Sequence, residues 1–344
     1  MGYVESAFLG DLETEILVRR QLRKLIRFPE LHNVSRTSIA LRQPCIFSMG
    51  REGTLITDQH FGLNATNARE RGEALDKVAE HVATTSAFKE AFSKHKKDTR
   101  LSQSYRGATH IVKFWEPNEY PELATNEYFC LRVAERCGLE VPHFQLAQDG
   151  AALVINRFDL RADGTYRGFE DFSVLNAKRT DQKYSGSYET SILKRFEQFA
   201  NSPHVHADLQ KLFTLIALNC ALRNGDAHLK NFGIVYDDVL GEARLAPVYD
   251  LVTTAVYLPK DSMALTFNGS TRWPAAKALV QIGETRASCS PARVRQIFAQ
   301  IADAITEITS EVRAYIKEHP SFSEIGERML ITWDQGVTLS IKAL

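Results

Sequence analysis

Apolar and polar positions alternate with different periods along the chain. Over Glu13–Phe28 the apolar residues Ile16, Leu17, Leu22, Leu25 and Ile26 fall mostly on one helical face, ringed by Arg19, Arg20, Arg23, Lys24 and Arg27. Ser35 and Thr37 follow as candidate caps, and Met49–Ile56 offers a glycine-bearing turn and a strand. Two readings are open here: a basic solvated helix beside an irregular β segment, or a winged helix that reads DNA. The first is the expectation, because helix-turn-helix patterns are easily imitated. Asn64–Phe92 predicts a helix with a break near Thr84–Ser86, and Lys94–Arg100 a basic linker.

From Tyr105 the pattern changes. Ala108–Trp115 alternates like a buried strand and carries Lys113 inside it. A proline-rich turn leads to an amphipathic helix over Ala124–Leu139, ended by Gly138. Val141–Arg161 predicts two strands joined by an Asp149-Gly150 turn, then a polar exit. Strand, helix and hairpin make an α/β lobe. Beyond Arg161 the pattern is mostly helical, with interruptions at Arg223–Asp238, at "LAPVYDLVTT" and at "SMALTFNGS". Two helices, Pro291–Glu307 and Glu311–Lys317, are expected near the C-terminus.

Composition narrows the class. A chain of 344 residues suits two subdomains around a cleft. Apolar content of 44% and charged content of 24% are ordinary for a globular protein. Lys+Arg and Asp+Glu balance at 42 each, which argues against a whole-molecule attraction to nucleic acid or membrane. The five cysteines form no CxxC pair, so buried reduced thiols are expected rather than a disulfide or zinc framework. Neither a membrane span nor a secretion signal is expected.

The candidate chemistry lies in "RNGDAHLKNFGIVYDD", which sets Asn224, Asp226, His228, Lys230 and Asn231 between the apolar runs Leu212–Leu222 and Phe232–Val235. Polar groups held between buried elements need each other, a metal or a ligand. A lone Gly-Asp-x-His reads as a capped turn. Asn231 and an Asp250 at the end of a predicted strand change that reading. An amide and a carboxylate supply hard oxygen ligands to a phosphate-bound Mg²⁺, and a further carboxylate, Asp226, can take the proton of an attacking hydroxyl. Lys113 in an apolar strand is costly unless paired, and Glu127 on the next helix is the candidate partner; the other reading is an edge-strand lysine pointing outward. In "VINRFD" (Val154–Asp159), Phe158 stacks on a base or fills a lobe junction.

Tyr105 to about Phe298 resembles the HipA family of serine/threonine kinases, toxins of toxin–antitoxin modules. The resemblance rests on "HIVKF", "NEYFCLRVAERCGLEVP", "ALVINRFDLR", "NGDAHLKNFG", "LAPVYDLVTT" and "PKDSMALTFNGSTRW", in that order. It implies an α+β, protein-kinase-like two-lobe fold, with a mixed α/β N-lobe and a mainly helical C-lobe. The expected divisions are 1–100 for an N-terminal region, 101–158 for the rest of the N-lobe up to the hinge, and 159–344 for the C-lobe.

By position, the resemblance makes Lys113 the nucleotide-phosphate lysine with Glu127 beside it, and puts Asn156 and Phe158 near adenine. Asp226 becomes the catalytic base, and Asn231 and Asp250 the Mg²⁺ ligands. His228 reads as a structural hydrogen-bonder, and Lys230 as a candidate contact to the γ-phosphate. ATP and Mg²⁺ are the implied cofactors. The implied partners are a helix-turn-helix antitoxin of HipB type, with operator DNA through it, and a protein substrate such as an aminoacyl-tRNA synthetase. The implied location is cytoplasmic. One departure stands out: at 91–107 Ser102 and Ser104 are present, but the family's glycine-containing phosphate loop is not. Two other readings follow, a small-molecule phosphotransferase with a related loop, and a degenerate kinase that binds DNA or a partner. "VYDLV" disfavours the first of these, and intact Asp226, Asn231 and Asp250 oppose the second.

Overall fold

The computed structural model describes residues 46–48, 110–115 and 120–342. The basic N-terminal stretch, the Asn64–Phe92 helix, the linker and the 91–107 segment lie outside the described residues. The described part divides into two compact units, with residues 120–128 and 142–167 in the first and 129–141 and 168–342 in the second.

The first unit holds an antiparallel sheet of β1 (Ile46–Ser48), β2 (His110–Phe114), β3 (Phe144–Leu146) and β4 (Ala152–Asn156), in the order β1-β2-β4-β3. β4 reads Ala-Leu-Val-Ile-Asn and is buried along its apolar run, as suits a central strand with both faces covered. The β3–β4 hairpin turns where the Asp-Gly pair predicts. The Asp149 carboxylate accepts from the Ala151 amide at 3.0 Å, and Gly150 takes a φ of 69°.

Helix α1 (Leu123–Arg136) ends at Gly138, whose φ is 71°. The Gly138 amide donates to the Glu135 carbonyl and Leu139 to Ala134, closing the last turn as glycine favours.

The second unit is mainly helical around a small antiparallel sheet, β5 (Gly168–Asp171), β6 (Gly233–Tyr236) and β7 (Ala243–Leu245). Its helices are α2 (Phe172–Leu175), α3 (Arg195–Phe199), α4 (Val205–Leu222), α5 (Ala276–Arg286), α6 (Pro291–Glu318) and α7 (Ser323–Val337). A wide π turn, Tyr188–Lys194, precedes α3. From Leu212 to Leu222 α4 is buried all round, which is the mark of a helix segment enclosed on every side. α6 and α7 both pack on it, with Phe213 stacked on Phe298 and Trp333 fully buried.

Two sequence expectations are corrected. The C-terminal pair of helices is one helix, α6. Its buried stripe Ile297, Ile301, Ile305, Ile308 and Val312 keeps period through the expected break, so Thr309 and Ser310 interrupt nothing that packs. "LAPVYD" is not a strand: pairing stops at Leu245, and Asp250 sits on irregular backbone with a φ of 52°. Among the described residues no helix is long and apolar enough to cross a membrane. Cys130, Cys137, Cys220 and Cys289 are buried thiols, and burial pushes the Cys137 and Cys220 thiols up to about 12.

Candidate active site

The loop that leaves α4 is fixed at almost every residue. α4 ends on Arg223 in a left-handed conformation, φ 57°, with its guanidinium 4.9 Å from the Trp273 ring centroid. The Asn219 side chain accepts from Asn224 Nδ2 at 2.7 Å, and Asn224 Oδ1 accepts from the Asp226 amide at 3.1 Å. The Gly225 amide donates to Thr254 Oγ1 at 2.6 Å, and a Cβ at Gly225 would lie 2.2 Å from Asp261 Oδ2. Any larger residue there would have to displace the Asp261 carboxylate. The Ala227 carbonyl accepts from the buried Tyr188 hydroxyl at 2.8 Å, and the Lys230 carbonyl from the Tyr249 hydroxyl at 2.8 Å. Buried phenols that anchor two carbonyls make the loop a rigid mount rather than a floppy connection.

This mount brings Asp226, His228, Lys230, Asn231 and Asp250 together. Asp226 keeps 42% of its side-chain surface and accepts from the Tyr184 hydroxyl at 2.6 Å. Crowding by protein atoms raises its carboxyl above the usual range, and Asp250 adds to this; Tyr184 and Lys183 pull the other way. Lys183 sits with its ammonium 4.9 Å from the Tyr184 ring centroid. Burial lowers the Lys183 pKa, while Asp226 and Asp250 oppose the shift.

His228 departs from expectation. Neither ring nitrogen has a hydrogen-bond partner, and Nε2 is 4.0 Å from Asp226 Oδ1. Burial, followed by the Lys183 charge, drives its pKa down to about 3, so the ring is neutral at pH 7. Its other contact is an edge-on packing with Tyr184 at 5.2 Å. The expectation of a structural hydrogen-bonder is therefore corrected to a neutral packing ring whose polar atoms are unused.

Lys230 is held by Asp171 Oδ2 at 3.0 Å, while the other Asp171 oxygen caps α2 through the Val174 amide at 3.0 Å. Asn231 Nδ2 donates to the Asp250 carbonyl at 3.2 Å, and Asn231 Oδ1 is buried without a partner. A buried, unused amide oxygen, on a side chain whose Nδ2 holds the Asp250 main chain, is a hard-oxygen donor that fits a magnesium ion shared with a phosphate. Among the described residues no group of three or more His, Cys, Asp or Glu side chains is placed to hold a metal ion.

The other predicted residues belong to the first unit. Lys113 Nζ pairs with Glu127 Oε1 at 2.7 Å, both largely buried, so the lysine does not point outward. Asn156 closes β4, and its amide donates to the His143 carbonyl at 2.8 Å. Phe158 is flanked by a buried Arg157–Asp159 ion pair. The guanidinium of Arg157 also lies 5.3 Å from the Tyr166 ring.

Residues 74–309 match the HipA-like C-terminal domain, which is more than half of the chain. The chain belongs to this HipA-like family. It is 30% identical over 178 residues to a candidate kinase, Y4dM, of Sinorhizobium fredii, covering 47% of this chain and 42% of that protein. A second candidate kinase of that organism, Y4mE, is 33% identical over 165 residues, covering 46% of this chain and 38% of the relative. A candidate kinase of Haemophilus influenzae is 26% identical over 220 residues, covering 59% and 62%. The chain thus spans about half the length of the curated relatives it matches. Among solved structures it resembles the Shewanella oneidensis HipA in complex with HipB and operator DNA. That match has a TM-score of 0.53 and 19% identity, and covers 68% of this chain and 59% of that one. The fold is therefore α+β and kinase-like.

For this HipA-like chain, sequence reasoning missed Lys183, Tyr184, Asp171 and Asp261 around the loop. Lys183 and Tyr184 lie over forty residues upstream of Asp226, in a polar turn with no periodicity. Their one signal was an aromatic and a lysine side by side before Gly186.

Proposed function

We propose that this chain is an ATP-dependent serine/threonine protein kinase that moves the γ-phosphoryl group to a protein hydroxyl. One observation carries the reading. A half-exposed carboxylate, Asp226, stands on a rigidly pinned loop beside Asn231, whose buried side-chain oxygen has no protein partner. A fold seeking only stability fills such an acceptor.

In this reading Asp226 accepts the proton of the acceptor hydroxyl and orients it. Its raised pKa makes it the stronger base. Asn231 and Asp250 would hold Mg²⁺, which when bound supplies positive charge against the phosphates. The Lys230–Asp171 pair places a cation beside the loop for the transferring group. Lys113, set by Glu127, is the proposed nucleotide-phosphate lysine, and Asn156 and Phe158 the proposed adenine neighbours. The family match and the kinase-like fold support these roles.

The solved relative was captured with HipB and operator DNA. By analogy, a helix-turn-helix antitoxin is the proposed partner, a toxin of the cytoplasm the proposed role, and an aminoacyl-tRNA synthetase one proposed substrate. The test is transfer of [γ-³²P] from ATP to protein, with Mg²⁺ and with EDTA. Label that is unchanged by EDTA would overturn the metal assignment. Label found only in small hydroxyl compounds would turn the reading to a small-molecule phosphotransferase.

A further inference from the structure

The Tyr184 hydroxyl already occupies the place that an acceptor must take. A general base acts on a proton within about 2.6–3.2 Å of it, heavy atom to heavy atom. Tyr184 donates to Asp226 Oδ1 at 2.6 Å, the short distance of a charge-assisted bond. Tyr184 is 51% exposed as a residue, and its bond to Asp226 lies at the surface rather than in the core.

A purely structural strap explains this contact poorly. Asp226 is itself half exposed, and a surface hydrogen bond to an acceptor that water can satisfy adds little stability. The ring is nevertheless held in place, by the Lys183 ammonium at 4.9 Å on its face and by the His228 ring at 5.2 Å. A cation on the ring face favours the negative charge that a phenol gains as it loses its proton.

We propose that Tyr184 is a phosphoacceptor of this chain itself, modified within the same molecule. The inference rests on the kinase reading and extends its acceptors from aliphatic hydroxyls to a phenol held at the same base. The Tyr184 O–H bond breaks and its proton passes to Asp226. The phenolic oxygen forms a bond to the γ-phosphorus of ATP. The bond from that phosphorus to the bridging β-phosphate oxygen breaks, and ADP leaves with the electron pair.

The product places a group of about −2 charge beside Lys183 and against the Asp226 carboxylate. Repulsion from Asp226 lifts the tyrosine from the base, and Lys183 offers the new phosphate a counter-charge. Self-modification thus frees Asp226 for the hydroxyl of another protein.

The experiment incubates the full chain with ATP and Mg²⁺ and maps phosphate by mass spectrometry of its peptides. Separate arms follow ADP release and transfer to casein as a general acceptor. Phosphate is expected on Tyr184, with a labelled fraction per unit time that does not change on dilution. Tyr184→Phe should lose that mark, and Asp226→Asn should slow it about 10²–10⁴-fold. ADP release or casein labelling with Tyr184 unmodified overturns the proposal and leaves the kinase reading standing. Labelling that accelerates with protein concentration overturns the same-molecule step. Neither ADP nor label in any arm overturns both.

Discussion

At its first turn α4 carries Asp208, and beyond its last turn it delivers Asp226. Asp208 is buried and saturated. It accepts from Arg244 Nε at 2.6 Å, from Arg244 Nη2 at 3.0 Å and from the Leu245 amide at 3.3 Å. Burial alone would raise its pKa, but these donors outweigh it and hold the carboxyl below the usual range. At the other end Arg223 Nη1, both His228 nitrogens and Asn231 Oδ1 are buried without partners. One helix therefore separates two uses of polar groups. Where both carboxylate oxygens are matched, the side chain locks the fold. Where the backbone is matched and the side chains are not, the fold holds groups ready for something outside itself.

The contrast breaks most sharply at Asp226. Asp226→Asn keeps shape and one acceptor oxygen but removes the charge. Phosphotransfer is expected to fall about 10²–10⁴-fold, roughly 3–5 kcal/mol of barrier, with nucleotide affinity within a few-fold. Radiolabel transfer alongside calorimetric titration checks it, and unfolding of the variant would make Asp226 structural.

Asp208→Ala is expected to do the reverse. Loss of one partner of a fully buried pair costs about 3–5 kcal/mol, and the one-third exposure of Arg244 brings this to about 2–3 kcal/mol. Urea melts measure that loss, while kcat and KM of the folded fraction stay at parent values.

Asn231→Ala should cost about 1 kcal/mol, the worth of its one bond to the Asp250 carbonyl. It should abolish the gain in nucleotide affinity that Mg²⁺ gives. Titration with and without the metal separates this from a purely structural asparagine, for which the gain would persist.

The last comparison concerns pH. The pKa of His228 lies near 3 when folded, against an ordinary 6.5, so the unfolded chain binds this proton first. Its contribution is fully present above about pH 6.5 and is lost as pH falls toward 3, at up to about 1.4 kcal/mol per unit. Asp226, raised in the fold, contributes with the opposite sign. The difference between parent and His228→Gln isolates the histidine: the variant should show the shallower acid slope in urea midpoints.

How much of this was legible depended on how local each cause was. Strand β2, helix α1 with its Gly138 stop and the Asp149-Gly150 hairpin rest on neighbours in sequence, and their patterns predicted them. The Lys113–Glu127 pair was legible because a lysine in an apolar strand demands a partner. The Asp226 loop was legible as a polar island between apolar runs. Asp250 was misplaced at a strand end because "LAPV" is apolar enough for a strand, yet the β6–β7 ladder ends at Leu245 and the Val248 amide turns to the Glu140 carbonyl instead. Thr309 and Ser310 imitated a helix break because polarity on an outer face looks the same as a loop. Lys183 and Tyr184 reach the site through tertiary folding alone, which no periodicity records.

Asp250 sets the demands of folding and of chemistry against each other. Its left-handed backbone, φ 52°, suits glycine better than a residue with a Cβ, by about 1 kcal/mol. A library of position-250 variants selected for heat resistance alone would therefore fill with glycine. The same library selected for phosphotransfer would keep the strained carboxylate. Survivors of the two selections should part at this codon, where drift toward a sturdier protein removes the proposed magnesium ligand.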